Sequence, residues 1–167
     1  MSFSPFPKYK FRHMTGINAD FLHSRGIELL MLDLDNTIAP YDLTQPSEEV
    51  LEWVRTLKTA GILLFIVSNS KKTHRVSAFA EELGIDYVYH ARKPSPSKVR
   101  EVAQRLGVCI DACALAGDQI FTDVMAANFA GAASLLVRPI KFTNPLLALR
   151  FAAEQPFRIW KKEEDSK

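Results

Sequence analysis

One stretch constrains the fold more than any other: residues 27–37, IELLMLDLDNT, an unbroken apolar run that stops abruptly at Asp33, Asp35 and Thr37. A run this short, bounded by Gly26 and an acidic turn, suits a strand buried on both faces, as in a parallel sheet with helices on either side. Its polar end then lies at the carboxyl edge of the sheet, where open α/β folds bind ligands. Side chains two apart on an extended segment point the same way, so Asp33 and Asp35 can face one crevice. Two carboxylates crowded there repel unless a cation or a shared proton intervenes. An Asx-type turn would use the same residues for local hydrogen bonding alone, so the remainder of the chain must decide.

Residues 2–14 (SFSPFPKYKFRHM) mix aromatic, proline and basic residues without a period and read as an irregular arm. Asn18 can cap a short helix reaching Arg25, closed by Gly26. After the first strand comes a loop to Pro46; Ser47, Glu48 and Glu49 then open a helix with Val50, Val54 and Leu57 on one face. Residues 62–67 (ILLFIV) give a second buried strand that also stops at polar residues, Ser68, Asn69 and Ser70. Val76, Phe79, Ala80 and Leu83 keep helical spacing up to Gly84. Residues 86–90 read as a third strand ending before Lys93 and Pro94. Ser95 is expected to cap a helix starting at Pro96, with Val99, Val102, Ala103 and Leu106 inward. Residues 113–116 form a fourth strand running into Gly117 and Asp118, residues 122–130 a helix, and residues 134–137 a fifth strand.

Alternating strands and helices of this length predict an α/β fold, a central parallel sheet flanked by helices with right-handed crossovers. Asp33, Asp35, Ser68, Lys93, Asp118 and Asp123 all fall at or just beyond strand carboxyl ends and can converge. The 167 residues suit one domain: an N-terminal arm and short helix (1–26), a core (27–137) and a basic, aromatic C-terminal helix and tail (138–167). The two cysteines, Cys109 and Cys113, have no zinc-type partners and read as reduced thiols of a cytoplasmic protein. No apolar run is long enough to span a bilayer, and no signal-peptide pattern opens the chain.

The net charge of +2 is uneven: +3 over residues 1–16, −4 over 17–137, +5 over 138–162 and −2 beyond. An acidic centre without a concentrated basic stripe argues against nucleic acid. Asp33, Asp35 and Asp118 supply hard oxygens for an octahedral cation that keeps several waters, which suits Mg²⁺ better than zinc. Such a cation would let a carboxylate approach an anionic phosphate despite like charge. Lys93 is a point charge for the same phosphate, and Ser68 with nearby backbone N–H groups can donate to its equatorial oxygens. Read one at a time, Ser68 and Asn69 could equally cap a helix, Lys93 could be a surface loop residue, and Asp118 and Asp123 could open a helix. Their occurrence in strand-end order favours the common site.

The segments DLDNT, VSNS, KP and GDQIFTD resemble the four motifs of the haloacid dehalogenase-like phosphatase superfamily. With the lead-in NADFLHSRGI and the continuation TDVMAAN, the chain resembles the YqeG family, related to mitochondrial and plastid phosphatidylglycerophosphate phosphatases. The resemblance implies a Rossmann-like fold. It also implies Asp33 as nucleophile, forming an aspartyl-phosphate, and Asp35 as the acid that protonates the leaving oxygen and then activates water. Mg²⁺ would be held by the Asp33 carboxylate, the Asp35 backbone carbonyl and Asp118, with Asp123 supporting from behind. Ser68, Asn69 and Lys93 would hold the phosphoryl group, and Thr37 would brace the loop. Ser70 and the pair Ala126 and Ala127 depart from the usual pattern without touching this chemistry.

Relatives that select small metabolites usually carry an inserted cap; here residues 38–46 are only a loop, and residues 71–92 hold one helix and one strand. No cap domain is expected, and an open site suits a phosphate on something large. The C-terminal segment favours an anionic phospholipid: a helix from Asn144 and Pro145 with Leu146, Leu147, Leu149 and Phe151, then Phe157, Ile159, Trp160, Lys161 and Lys162, suits a bilayer interface. This segment and the arm around Phe3 and Phe11 either dock on the membrane, at its inner face, or pack on the core. The leading expectation is a Mg²⁺-dependent phosphatidylglycerophosphate phosphatase. Alternatives are the same chemistry on a nucleic-acid end, phosphoprotein or soluble ester, and a non-catalytic phospho-acceptor or scaffold. The oligomeric state is not legible.

Overall fold

The structure, a computed structural model, describes residues 4–141, 145–159 and 162–164. In chain order its elements are β1 (Tyr9–Lys10), α1 (Ala19–Ser24), β2 (Leu29–Leu32), α2 (Glu48–Thr59), β3 (Leu63–Val67), α3 (Thr73–Leu83), β4 (Asp86–Val88), α4 (Ser97–Arg105), β5 (Cys113–Gly117), α5 (Met125–Ala130), β6 (Ala133–Leu136) and α6 (Pro145–Arg158). The strands form one sheet in the order β1-β6-β5-β2-β3-β4, and every neighbouring pair is parallel.

The apolar run supplies the central strand. Alternate β2 residues serve opposite layers, as a two-residue side-chain period requires. Leu30 and Leu32 pack with Val54 and Leu57 of α2 and Val76 and Phe79 of α3. Leu29 and Met31 pack with Val99 and Val102 of α4 and Ala126 of α5. Burying one such aliphatic side chain is worth roughly 1.5–3 kcal/mol, so the double-sided burial fixes the register of β2. The ladder continues one residue past the strand, where Asp33 N–H donates to Ala116 O at 2.9 Å. The helices that clamp the sheet start where their caps are: Asn18 accepts from Phe21 N and Ser47 from Val50 N.

Four details differ from the sequence reading. The arm is not wholly irregular, because Tyr9–Lys10 adds a sixth strand along β6 and Phe11 N–H donates to Leu136 O at 2.8 Å. Two residues of main-chain pairing leave too short a pattern to read, and Phe11 is pulled to 1% exposure. The strand expected over 86–90 ends at Val88 and forms an exposed edge of the sheet. Pro96, not Ser95, holds the cap position and α4 begins at Ser97, with Ser95 Oγ one residue earlier accepting from Ser97 N at 3.4 Å. The helix expected from Thr122 starts earlier, with a π turn (Ile120–Val124) leading into α5.

Only a loop joins β2 to α2 and only β4 lies between α3 and α4, so no domain is inserted over the sheet's carboxyl edge. No described helix is long and apolar enough to cross a membrane. Both cysteine thiols are free. Phe3, Asn144, Trp160 and Lys161 lie outside the described residues.

Candidate active site

A crevice of about 450 Å³ opens at the carboxyl edge, lined by Asp33, Asp35, Tyr41, Asn69, Lys93 and Asp123, among others. A larger hollow of about 710 Å³ sits at the other end of the sheet beside Leu63, Ile85 and Tyr87 and holds none of these carboxylates.

Three carboxylates, from Asp33 after β2, Asp118 after β5 and Asp123 in the π turn, place oxygen atoms within 4.8 Å of one another, all buried. Each follows a strand end because adjacent parallel strands terminate at one level. Lys93 reaches in from the loop after β4. Its Nζ lies 2.6 Å from Asp33 Oδ1 and 2.7 Å from Asp123 Oδ1, and donates to Val67 O at 2.7 Å. Asp123 Oδ2 accepts from Gln119 N at 3.1 Å, whereas Oδ1 has no hydrogen-bond donor aligned on it and is held by the Lys93 ion pair. Gly117 makes the approach possible: a Cβ there would stand 2.3 Å from Asp123 Cγ.

Three anions against one cation leave the cluster short of positive charge. Burial pushes the Asp33 carboxyl up to about 7, with Lys93 opposing the rise and Asp123 adding to it. Burial, followed by Asp123 and Asp33, also raises Asp118 well above the ordinary carboxylate range. For Lys93, burial alone would lower the value, but Asp123 and Asp33 outweigh it and hold the ammonium charged. Burial and the same carboxylates push the Tyr41 phenol up, so it stays neutral and can donate. Clustered carboxylate oxygens without nitrogen or sulfur donors, frustrated by like charge, fit a hard divalent cation.

The other expected residues take distinct places. Thr37 Oγ1 donates to Asp118 Oδ1 at 3.3 Å. Ser68 is fully buried, its hydroxyl accepting from Ser70 N at 3.0 Å. Asn69 lines the crevice, yet its amide spans the main chain of Lys93, with Nδ2 donating to Lys93 O at 3.0 Å and Oδ1 accepting from Lys93 N at 2.8 Å. The Asp35 carboxylate faces the crevice apart from the acidic trio and is ion-paired to Arg75 of α3.

Arg75 was not singled out from the sequence. It is buried, and besides Asp35 it donates from Nε to Leu43 O and from Nη2 to Pro40 O, both at 2.8 Å, strapping the loop after β2 to α3. Its one legible signal is a charge on the inward arc of α3, one position before Val76. Asn36 was also passed over: at φ 63° it accepts Lys141 N on Oδ1 at 2.8 Å and Ile140 N on its carbonyl at 3.1 Å. A third omission is the buried pair on α6. Arg158 donates to the Asp118 carbonyl and pairs with Glu154 at 2.7 Å, while Glu154 Oε1 accepts Ile120 N at 2.9 Å. The inward face of α6 therefore grips the loop that carries Asp118.

Comparison with known proteins gives the family and the fold. The sequence profile of a family described as haloacid dehalogenase-like hydrolase matches residues 8–131. The chain is 34% identical over 143 residues to the Probable phosphatase YqeG of Bacillus subtilis (strain 168), covering 86% of this chain and 82% of that one. It is 24% identical over 161 residues to the Phosphatidylglycerophosphate phosphatase 1, chloroplastic/mitochondrial, of Arabidopsis thaliana, covering 92% of this chain but only 43% of the plant protein. Among solved structures, the cobalt-bound deoxy-D-mannose-octulosonate 8-phosphate phosphatase from Haemophilus influenzae superposes with a TM-score of 0.53 at 17% identity, over 68% of this chain and 69% of that one.

Proposed function

Because the chain belongs to the haloacid dehalogenase-like hydrolase family, we propose that it is a Mg²⁺-dependent phosphomonoesterase acting through an aspartyl-phosphate on Asp33, with phosphatidylglycerophosphate as its substrate. The observation that carries this reading is the meeting of Asp33, Asp118, Asp123 and Lys93 at one strand-end crevice.

Asp33 attacks phosphorus through a carboxylate oxygen while the bond from phosphorus to the leaving oxygen breaks. Asp35 gives its proton to that oxygen. In the second half-reaction the Asp35 carboxylate takes a proton from water, the water oxygen attacks the aspartyl-phosphate, and inorganic phosphate leaves with Asp33 restored. Asp35 is ion-paired to Arg75, so its carboxyl must turn from Arg75 toward the leaving oxygen for the acid step. Lys93 holds Asp33 at its Oδ1 and adds positive charge where the phosphoryl oxygens gather. Asn69, by gripping the Lys93 main chain, sets where that ammonium stands. Ser68 braces the turn beneath it.

A divalent cation fits the acidic trio; Asp33, Asp118 and the Asp35 carbonyl would hold it, with Asp123 behind, and it would neutralise charge between carboxylate and phosphate. The open crevice and the activity of the plant relative support a phosphate presented on a lipid.

The test is a panel of phosphatidylglycerophosphate in detergent micelles, nucleotides and phosphopeptides, each with Mg²⁺ or a chelator and with Asp33→Asn as the blank. Release of phosphate from the lipid, dependent on Mg²⁺ and absent in the blank, is the expected result. Turnover of another class with the lipid left intact would contradict the substrate assignment.

A further inference from the structure

Helix α6 carries its charges on the inside. Glu154 and Arg158 are 1% and 4% exposed, whereas Leu146 and Leu149 are 73% and 68% exposed and Ile159, just past the helix, 77%. Ala148, Ala152 and Ala153 are exposed with them, and Arg150 is the one charged residue of the outward face. A surface helix of a water-soluble fold ordinarily does the reverse, apolar stripe inward and charges outward. Exposed apolar faces of this kind mark interaction sites.

The surrounding charge selects the partner. Arg138, Lys141, Arg150 and Lys162 are exposed, Arg138 paired with Glu163 and Lys141 with Asp42, while Glu154, the sole acid between residues 138 and 162, is buried. An apolar helix face framed by cations suits an anionic lipid interface, with leucines at the acyl boundary and cations among the headgroups. At 14 residues the helix is suited to lie in that interface and not to cross it. The face is continuous with the crevice: Arg150 and Phe121 line it beside Asp33 and Lys93, and Arg150 donates to Gln119.

We propose that the outward face of α6, centred on Leu146 and Leu149, docks on an anionic lipid surface and brings the crevice to headgroup level. The docking stands on the helix alone; its link to turnover rests on the lipid-phosphate reading above.

The test uses the full chain in flotation with vesicles of phosphatidylglycerol in phosphatidylcholine, against phosphatidylcholine alone. The chain should float with the anionic vesicles, and Leu146→Asp/Leu149→Asp should reduce the bound fraction at least about tenfold, the loss expected when two leucines no longer bury. Melting and turnover of a water-soluble aryl phosphate should not change. Leu146→Gln/Leu149→Gln, which adds no charge, should weaken binding in the same direction if the aspartate variant folds poorly. Binding no better than to phosphatidylcholine, or unchanged flotation of both variants, would overturn the proposal. So would a protein that ignores vesicles but whose oligomers dissociate on these substitutions, since a second copy would then cover the face. Vesicle binding without hydrolysis of phosphatidylglycerophosphate would sink the substrate reading and leave the docking intact. Hydrolysis in micelles without vesicle binding would do the opposite.

Discussion

Lys93 touches two of three buried carboxylates at once, and the leftover negative charge has a measurable consequence. The folded chain holds a proton on Asp33 up to about pH 7, whereas an ordinary carboxyl has released it above 3.8. Between those values the native state binds more protons than the unfolded state, so stability falls as pH rises. The raised Asp118 acts in the same direction. Metal-free protein should therefore melt at a lower temperature at pH 8 than at pH 5, with Mg²⁺ restoring much of the difference at pH 8 and little at pH 5. Asp118→Asn should flatten the pH dependence, as calorimetry can check. Arg75 has a separate consequence, because it fixes both the Asp35 carboxylate and the loop at Pro40 and Leu43. Arg75→Leu should lower kcat about a hundredfold, the low end of what a positioned acid or base contributes. Arg75→Lys, lacking the planar fork, should recover only part. An unchanged kcat in both would remove Arg75 from the account.

At the scale of elements, strand β5 ends in a glycine for a steric reason. Gly117→Ala would drive a methyl into Asp123, 2.3 Å away. It should cost about 1–3 kcal/mol in urea unfolding, the usual penalty for overpacking, and weaken Mg²⁺ binding. Helix α6 supports the same loop from the other side. Arg158→Met would leave Glu154 buried without its cation, so a loss of about 3 kcal/mol in unfolding free energy is expected. Elements with a strong period were legible in the sequence: β2 and β3 from their apolar runs, α2 from Val50, Val54 and Leu57, α3 from Val76, Phe79 and Leu83. Those whose information is not periodic were not. β1 is two residues of main-chain pairing, and the π turn at Ile120–Val124 is held by Gln119 N donating to Asp123 Oδ2 within the turn and by Ile120 N donating to the distant Glu154.

For the whole molecule, the sheet order could be anticipated in kind, parallel and helix-flanked, because strand and helix patterns alternate along the sequence. Convergence of Asp33, Lys93 and Asp118 followed from the rule that strand ends share an edge. The contacts that tune the site were not legible, since each joins residues far apart with no shared pattern: Arg75 to Asp35, Arg158 to the Asp118 carbonyl, Asn36 to Lys141. Burial of a charge shows only once the neighbours are known. The account as a whole turns on phosphorus becoming bonded to Asp33, and acid quenching during turnover with Mg²⁺, followed by peptide mass spectrometry, reads that directly. It predicts a base-labile phosphoryl group on the peptide containing Asp33, absent in Asp33→Asn, whose turnover should fall by about three orders of magnitude or more. A phosphoryl group on another residue, or near-normal turnover by Asp33→Asn, would contradict it.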